Sequence, residues 1–266
     1  MRRETDGGKD LRAVAHGLRR EVVRMAGGPH GAHVGGSLSC VDILTSLYFE
    51  VMAERDAFVL SKGHAAPALY AALAAAGRID AEELAGYTRP GSRLFGHPPQ
   101  GLPGVGFATG SLGHGLSLGI GLALAERLGD GTGRVYVLLG DGELQEGSVW
   151  EAAMYAGHRA LDNLVAVVDR NALQITGPTE DCVALEPLAD KFTAFGWLAR
   201  TVDGHDLGAL GKALGEPAGR PVAVVAETVK GRGVPFLEGR ASSHYATLRP
   251  ALVRRALAAL DAKAPA

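Results

Sequence analysis

Five short apolar stretches punctuate the chain, at 56–60, 134–139, 164–168, 197–202 and 221–228. Within those at 134–139 and 164–168, Val135 to Leu139 and Leu164 to Val168 are unbroken apolar runs rich in Val and Leu, as expected of parallel strands buried on both faces. Between the stretches the spacing changes to three and four. Leu11, Val14, Ala15, Leu18, Val22 and Met25 mark one face of a helix over 11–26, which Gly27-Gly28 closes. Further helices are predicted over 40–52 with Ser39 as N-cap, to Ala76 in an Ala-rich segment, over 81–87, and from the small-residue stretch 109–119 to Leu128. Others follow over 143–157, 187–195, 206–214 and 250–262. Strands that alternate with helices in this way predict an α/β fold, a doubly wound parallel sheet with helices on both faces.

Three segments are left as loops: 29–39, 94–106 and 176–181. The second is long and rich in Gly and Pro, and such loops inside a compact domain tend to carry function. The 38 glycines are about twice the usual ~7%, and they cluster at strand ends and loops, where backbone can approach a ligand closely. With 266 residues, 47% of them hydrophobic, one α/β domain over 11–266 is expected, preceded by a flexible charged tail over 1–10. That tail lacks the apolar core of a signal peptide, and no run is apolar and long enough to span a bilayer, so a cytoplasmic location is expected. A net charge of −2 without a long basic run gives no case for nucleic acid or an anionic membrane surface. Cys40 and Cys182 are too few for a disulfide framework or a zinc site. Dinucleotide and P-loop glycine motifs are absent from the sequence.

The segment 134–179 carries the most chemistry. Its first strand ends in Gly140-Asp141-Gly142, an acid-rich helix follows, and its second strand ends in Asp169-Arg170-Asn171. In one βαβ unit the two strand ends point the same way, so Asp141 and Asn171 would emerge together where parallel sheets bind ligands. Two hard oxygen ligands beside a helix N-terminus suit Mg²⁺ shared with a phosphate. Taken singly, Asp-Gly is also a common turn and Asn a common strand end. The histidines likewise read two ways, as working groups or as exposed loop imidazoles. His64 and His97 lie inside specific motifs, and His16, His30, His158 and His205 are expected at the surface or in caps.

The Gly140-Asp141-Gly142…Asn171 pattern resembles the metal motif of thiamine diphosphate enzymes, and Gly140 to Gly147 resembles the transketolase version of it. The His33 loop, Ser61-Lys62-Gly63-His64-Ala65, Gly96-His97-Pro98, Thr109-Gly110-Ser111-Leu112-Gly113, Asp203-Gly204-His205-Asp206 and Thr228-Val229-Lys230-Gly231-Arg232-Gly233 follow the order of the transketolase diphosphate-binding domain over about residues 11–250. The resemblance implies thiamine diphosphate and Mg²⁺, or another divalent cation such as Ca²⁺ or Mn²⁺, with Asp141, Asn171 and the Leu173 carbonyl as metal ligands. It implies cofactor contacts from Gly110, Leu112, Gly140, Gly142, His64 and His244, catalytic histidines at positions 33, 64, 97 and 244, and interface glutamates at Glu146 and Glu151. The implied reaction moves a two-carbon ketol unit from a ketose or ketose phosphate to an aldehyde.

Two departures concern the pocket: Val34 stands where the family usually has proline, and His114 where glutamine is usual. The third is length. The resemblance ends before the pyrimidine-binding domain, whose glutamate activates the cofactor. The expectation is therefore one half of a split transketolase, which pairs with a separate pyrimidine-domain chain in an α2β2 heterotetramer. Alternatives are a transketolase-like subunit that uses an unusual acceptor, the alpha subunit of a 2-oxo-acid decarboxylating enzyme, and a non-catalytic interaction subunit.

Overall fold

A computed structural model describes residues 10–265. Of the expected tail, residues 1–9 lie outside the described residues. Asp10 is the N-cap of the first helix, its carboxylate accepting from Arg12 N at 2.9 Å.

Five strands form one wholly parallel sheet: β1 (Ala57–Leu60), β2 (Val135–Gly140), β3 (Leu164–Arg170), β6 (Leu198–Asp203) and β7 (Val222–Glu227), in spatial order β1-β2-β3-β7-β6. A two-stranded hairpin, β4 (Leu173–Gln174) with β5 (Gly177–Pro178), stands apart from it. The helices are α1 (Leu11–Ala26), α2 (Val34–Ser39), α3 (Val41–Ser46), α4 (Ala66–Ala75), α5 (Gly115–Leu128), α6 (Gly147–His158), α7 (Thr179–Cys182), α8 (Leu188–Ala194), α9 (Leu207–Gly215) and α10 (Pro250–Asp261).

Alternating residues along each strand feed two cores, because successive side chains point to opposite faces. Tyr136, Leu138, Val165, Val167, Val222 and Val224 pack with α1–α4, α9 and α10. Val135, Val137, Leu139, Ala166, Val168 and Ala223 pack with α5, α6 and α8 on the other face. Helices thus cover both faces, and both cores exclude water from the middle strands. The small residues of α5 have a specific reason: a Cβ on Gly119 would sit 2.4 Å from Val137 Cγ2, so that helix lies hard against β2.

Several expectations change, among them the loop expected over 176–181, which holds β5 and α7. The segment expected as a loop over 29–39 contains α2, and the single helix expected over 40–52 is α3 followed by a π-helical turn, Leu47–Val51. Ser39 does not cap that helix; its hydroxyl donates to Asp169 Oδ2 at 2.6 Å. The helix expected over 143–157 is a 3-10 turn, Gly142–Gln145, and then α6, broken where Glu146 is extended.

Candidate active site

β2 and β3 are neighbours in register, Gly140 opposite Asp169, so Asp141 and Asn171 leave the same edge of the sheet side by side. Asp141 is 2% exposed. Its Oδ1 accepts from Gly142 N at 2.8 Å, and its Oδ2 from Ala172 N at 2.6 Å and from Arg170 Nη1 at 3.3 Å. Burial and the charge of Asp169 push its carboxyl above the ordinary range, so a cation arriving there would stabilise its charged form. Asn171 donates its amide to Asp169 Oδ2 at 3.3 Å and accepts from Leu173 N at 3.2 Å. The Leu173 carbonyl accepts from Lys230 Nζ at 3.1 Å.

Among the described residues no three His, Cys, Asp or Glu side chains converge as a metal site. One carboxylate, one amide oxygen and one backbone carbonyl fit a hard cation whose remaining ligands come from phosphate and water. The fit to a diphosphate extends to the surroundings. Lys230, 2% exposed, brings an ammonium to the Leu173 carbonyl, and burial, with the nearby Lys62 charge, lowers its pKa to about 8. Gly142 presents bare backbone beside Gln174, whose buried Oε1 lacks a partner.

The four histidines expected to share one place do so. Ring centroids of His33 lie 5.5 Å from His64, 5.6 Å from His97 and 5.4 Å from His244, and His64 lies 5.2 Å from His244. Tyr245 stands edge-on to His33 at 4.8 Å. Burial lowers the pKa of His33 and His244 to about 4, with charged neighbours adding to it, and lowers those of His64 and His97 as well. The cluster is therefore neutral near pH 7, able to donate or accept protons but carrying no charge. Nδ1 of both His33 and His244 is buried without a hydrogen-bond partner.

Gly110 lies beside His97, since a Cβ there would meet its ring at 3.6 Å. Leu112 is half-buried in the same turn. Glu146 and Glu151 are exposed on the stretch leading through α6 and take no part in the histidine cluster. Of the two departures, Val34 is fully buried at the start of α2, while His114 is exposed at the start of α5.

Several contributors lay outside the expected set. Glu143, 2% exposed, accepts from Ser61 Oγ, from Gly113 N at 2.9 Å and from Gly140 N at 3.0 Å, joining the Gly110–Gly113 turn to the end of β2. Lys230 was legible only as part of a family motif. His205, expected at the surface or in a cap, has a side chain only 9% exposed.

The chain matches the family model "Transketolase, thiamine diphosphate binding domain" over residues 23–263. It is 41% identical over 265 residues to a 6-deoxy-6-sulfo-D-fructose transketolase subunit of Clostridium sp. (strain MSTE9), covering 95% of this chain and 96% of that one. It is 43% identical over 249 residues to an apulose-4-phosphate transketolase subunit of Actinobacillus succinogenes, covering 89% and 90%. A crystal structure of transketolase from Campylobacter jejuni superposes with a TM-score of 0.88 at 30% identity; the match covers 94% of this chain and 42% of that one.

Proposed function

The chain belongs to the transketolase family, and we propose that it is the diphosphate-binding subunit of a two-chain, thiamine diphosphate-dependent transketolase. The observation that carries this reading is that Asp141 and Asn171 leave adjacent strands at the same end of the sheet, with Leu173 N bonded to Asn171 Oδ1 and the Lys230 ammonium on the Leu173 carbonyl. In the proposed site those three oxygens hold a divalent cation, Mg²⁺ in the first instance. Lys230 faces the diphosphate, and the Gly142 backbone lies close to it. Gly110 and Leu112 meet the pyrimidine ring through backbone groups.

When bound, thiamine diphosphate supplies the nucleophilic carbon and the electron sink for cleavage of a carbon–carbon bond next to a ketone. The chain's own part is orientation and proton handling. His33 and His97 hydrogen-bond the donor's hydroxyls, and His64 and His244 stand nearest the reacting centre. Neutral imidazoles suit this work, because a hydroxyl proton can be passed to an unprotonated ring nitrogen and returned to the aldehyde acceptor.

A separate chain carrying the pyrimidine-binding domain completes the site, with Glu146 and Glu151 at the interface and an α2β2 assembly. The need for a partner chain is supported by relatives that are themselves named as subunits and are matched over nearly their whole length. Their names favour a ketose bearing an anionic group as substrate. The test is co-expression with a pyrimidine-domain chain, followed by assay of two-carbon transfer from ketose donors with thiamine diphosphate and Mg²⁺. Transfer that needs both chains supports the reading; a cofactor-loaded complex that turns over no ketose, sulfonated or phosphorylated, overturns it.

A further inference from the structure

The Asp203-Gly204-His205-Asp206 turn follows β6 and has no role in the chemistry just described, yet its histidine is held on both ring nitrogens. Nδ1 lies 2.8 Å from Asp42 Oδ2 on α3, and Nε2 accepts the backbone N–H of Val229 at 2.9 Å. An imidazole nitrogen that accepts an amide hydrogen carries no proton itself, so the proton is on Nδ1 and is donated to Asp42. Arg19 of α1 donates to the same Asp42 oxygen, and Asp42 is 4% exposed. The turn is shaped for this contact. Asp203 Oδ1 accepts from His205 N at 2.8 Å, a Cβ on Gly204 would stand 2.5 Å from Thr228 Cγ2, and Asp206 caps α9.

Val229 immediately precedes Lys230. Thr228 N still bonds the sheet, to Arg170 O at 3.0 Å, but the chain then leaves it, and the Val229 amide finds its acceptor in His205. Beyond it, Gly231 N is tied to Gly35 O at 2.9 Å and Lys230 O accepts from Gly239 N at 2.9 Å.

We propose that His205, fixed as its Nδ1–H tautomer by Asp42 and Arg19, is a positioning residue that anchors the Val229 amide and so aims the Lys230 ammonium at the cofactor's diphosphate. The aim toward diphosphate rests on the function proposed above; the anchoring does not.

Two isosteres separate the ring's two contacts. His205→Gln places an amide oxygen near the Nε2 position and keeps an acceptor for Val229. His205→Asn places its amide near Nδ1, keeps the contact to Asp42 and leaves Val229 N–H bare. In the chain itself, amide hydrogen exchange over 228–231 is expected to quicken in His205→Asn and to stay near wild type in His205→Gln, with β2 and β3 unchanged in both. The ¹⁵N resonances of His205 should show a protonated Nδ1 and a bare Nε2.

In the assembled enzyme, thiamine diphosphate affinity at saturating Mg²⁺ should fall ~10-fold or more in His205→Asn, in the range for outer partners of a ligand site. In His205→Gln it should fall by no more than about 3-fold, and kcat at saturating cofactor should change little in either variant. Equal exchange in the two variants, or the opposite tautomer, overturns the anchoring. Equal affinity in the two variants, with wild-type binding intact, overturns the aiming. A wild-type assembly that binds no cofactor overturns the aiming together with the proposed function, while the exchange and tautomer results still decide the anchoring.

Discussion

Lys62 and Asp169 form an ion pair sealed from solvent, with side-chain exposures of 1% and 0%. It lies directly behind the proposed metal site. Asp169 takes the Lys62 ammonium, the hydroxyls of Ser39 and Thr228, and the Asn171 amide at 3.3 Å, and this last bond fixes which way the Asn171 amide is turned, with Oδ1 accepting from Leu173 N at 3.2 Å. Burial works against both charges, yet their mutual attraction holds the Lys62 pKa above, and that of Asp169 below, the ordinary value.

Removing one partner of such a pair strands the other charge. Lys62→Met should destabilise the chain by about 3–5 kcal/mol, read as a lower urea midpoint at unchanged slope. A midpoint within error of wild type would show that the hydroxyl and amide donors alone satisfy Asp169.

The histidine cluster makes a signed prediction for acid. Unfolded imidazoles titrate near ~6.5, whereas His33 and His244 have folded values of about 4. Between these limits the unfolded chain binds more protons. Stability is therefore complete above the unfolded value and falls as the pH drops from ~6.5 toward about 4. Urea midpoints measured in neutral and in mildly acidic buffer, on either side of the unfolded value, should differ, and by less in the double variant His33→Asn/His244→Asn. An equal drop in both proteins would place the acid sensitivity elsewhere.

Two glycines separate fold from site. A Cβ on Gly157 would lie 1.7 Å from the Phe195 carbonyl, so Gly157→Ala must move backbone and should cost ~1–3 kcal/mol or more. On Gly142 the nearest atoms are Gln174 Cβ at 3.1 Å and its Oε1 at 3.3 Å, on a side chain that can give way. Gly142→Ala should therefore melt near wild type yet bind cofactor about tenfold or more weakly, since a methyl then stands where diphosphate approaches backbone. Unchanged affinity would move the diphosphate away from this turn.

The sheet and the placement of Asp141 and Asn171 were legible because β2 and β3 are short, Val-rich apolar runs buried along almost their whole length, and their length and β-branched content mark them as strands. Helix α2 was not. Its sequence, Val-Gly-Gly-Ser-Leu-Ser, is poor in helix formers, and it is helical because all six residues are buried. Gly35 is there for close approach, since a Cβ would lie 2.6 Å from Ser243 O. The break at Glu146 is likewise set by how the Gly142–Gln145 turn folds back onto Ser61 and Gly113 through Glu143. Lys230 and His205 carry no local signal, because their meaning lies in Leu173 and Asp42, 57 and 163 positions away.

The most direct test is Mn²⁺ binding followed by electron paramagnetic resonance in the assembled enzyme, with and without thiamine diphosphate, in wild type and Asp141→Ala. A cation held by one carboxylate, one amide and one carbonyl needs the diphosphate to complete its shell. Wild type should therefore bind Mn²⁺ tightly only with the cofactor present, and Asp141→Ala should weaken that binding roughly 100-fold or more. Tight binding that ignores the cofactor or survives Asp141→Ala would contradict the site, and with it the function proposed for this chain.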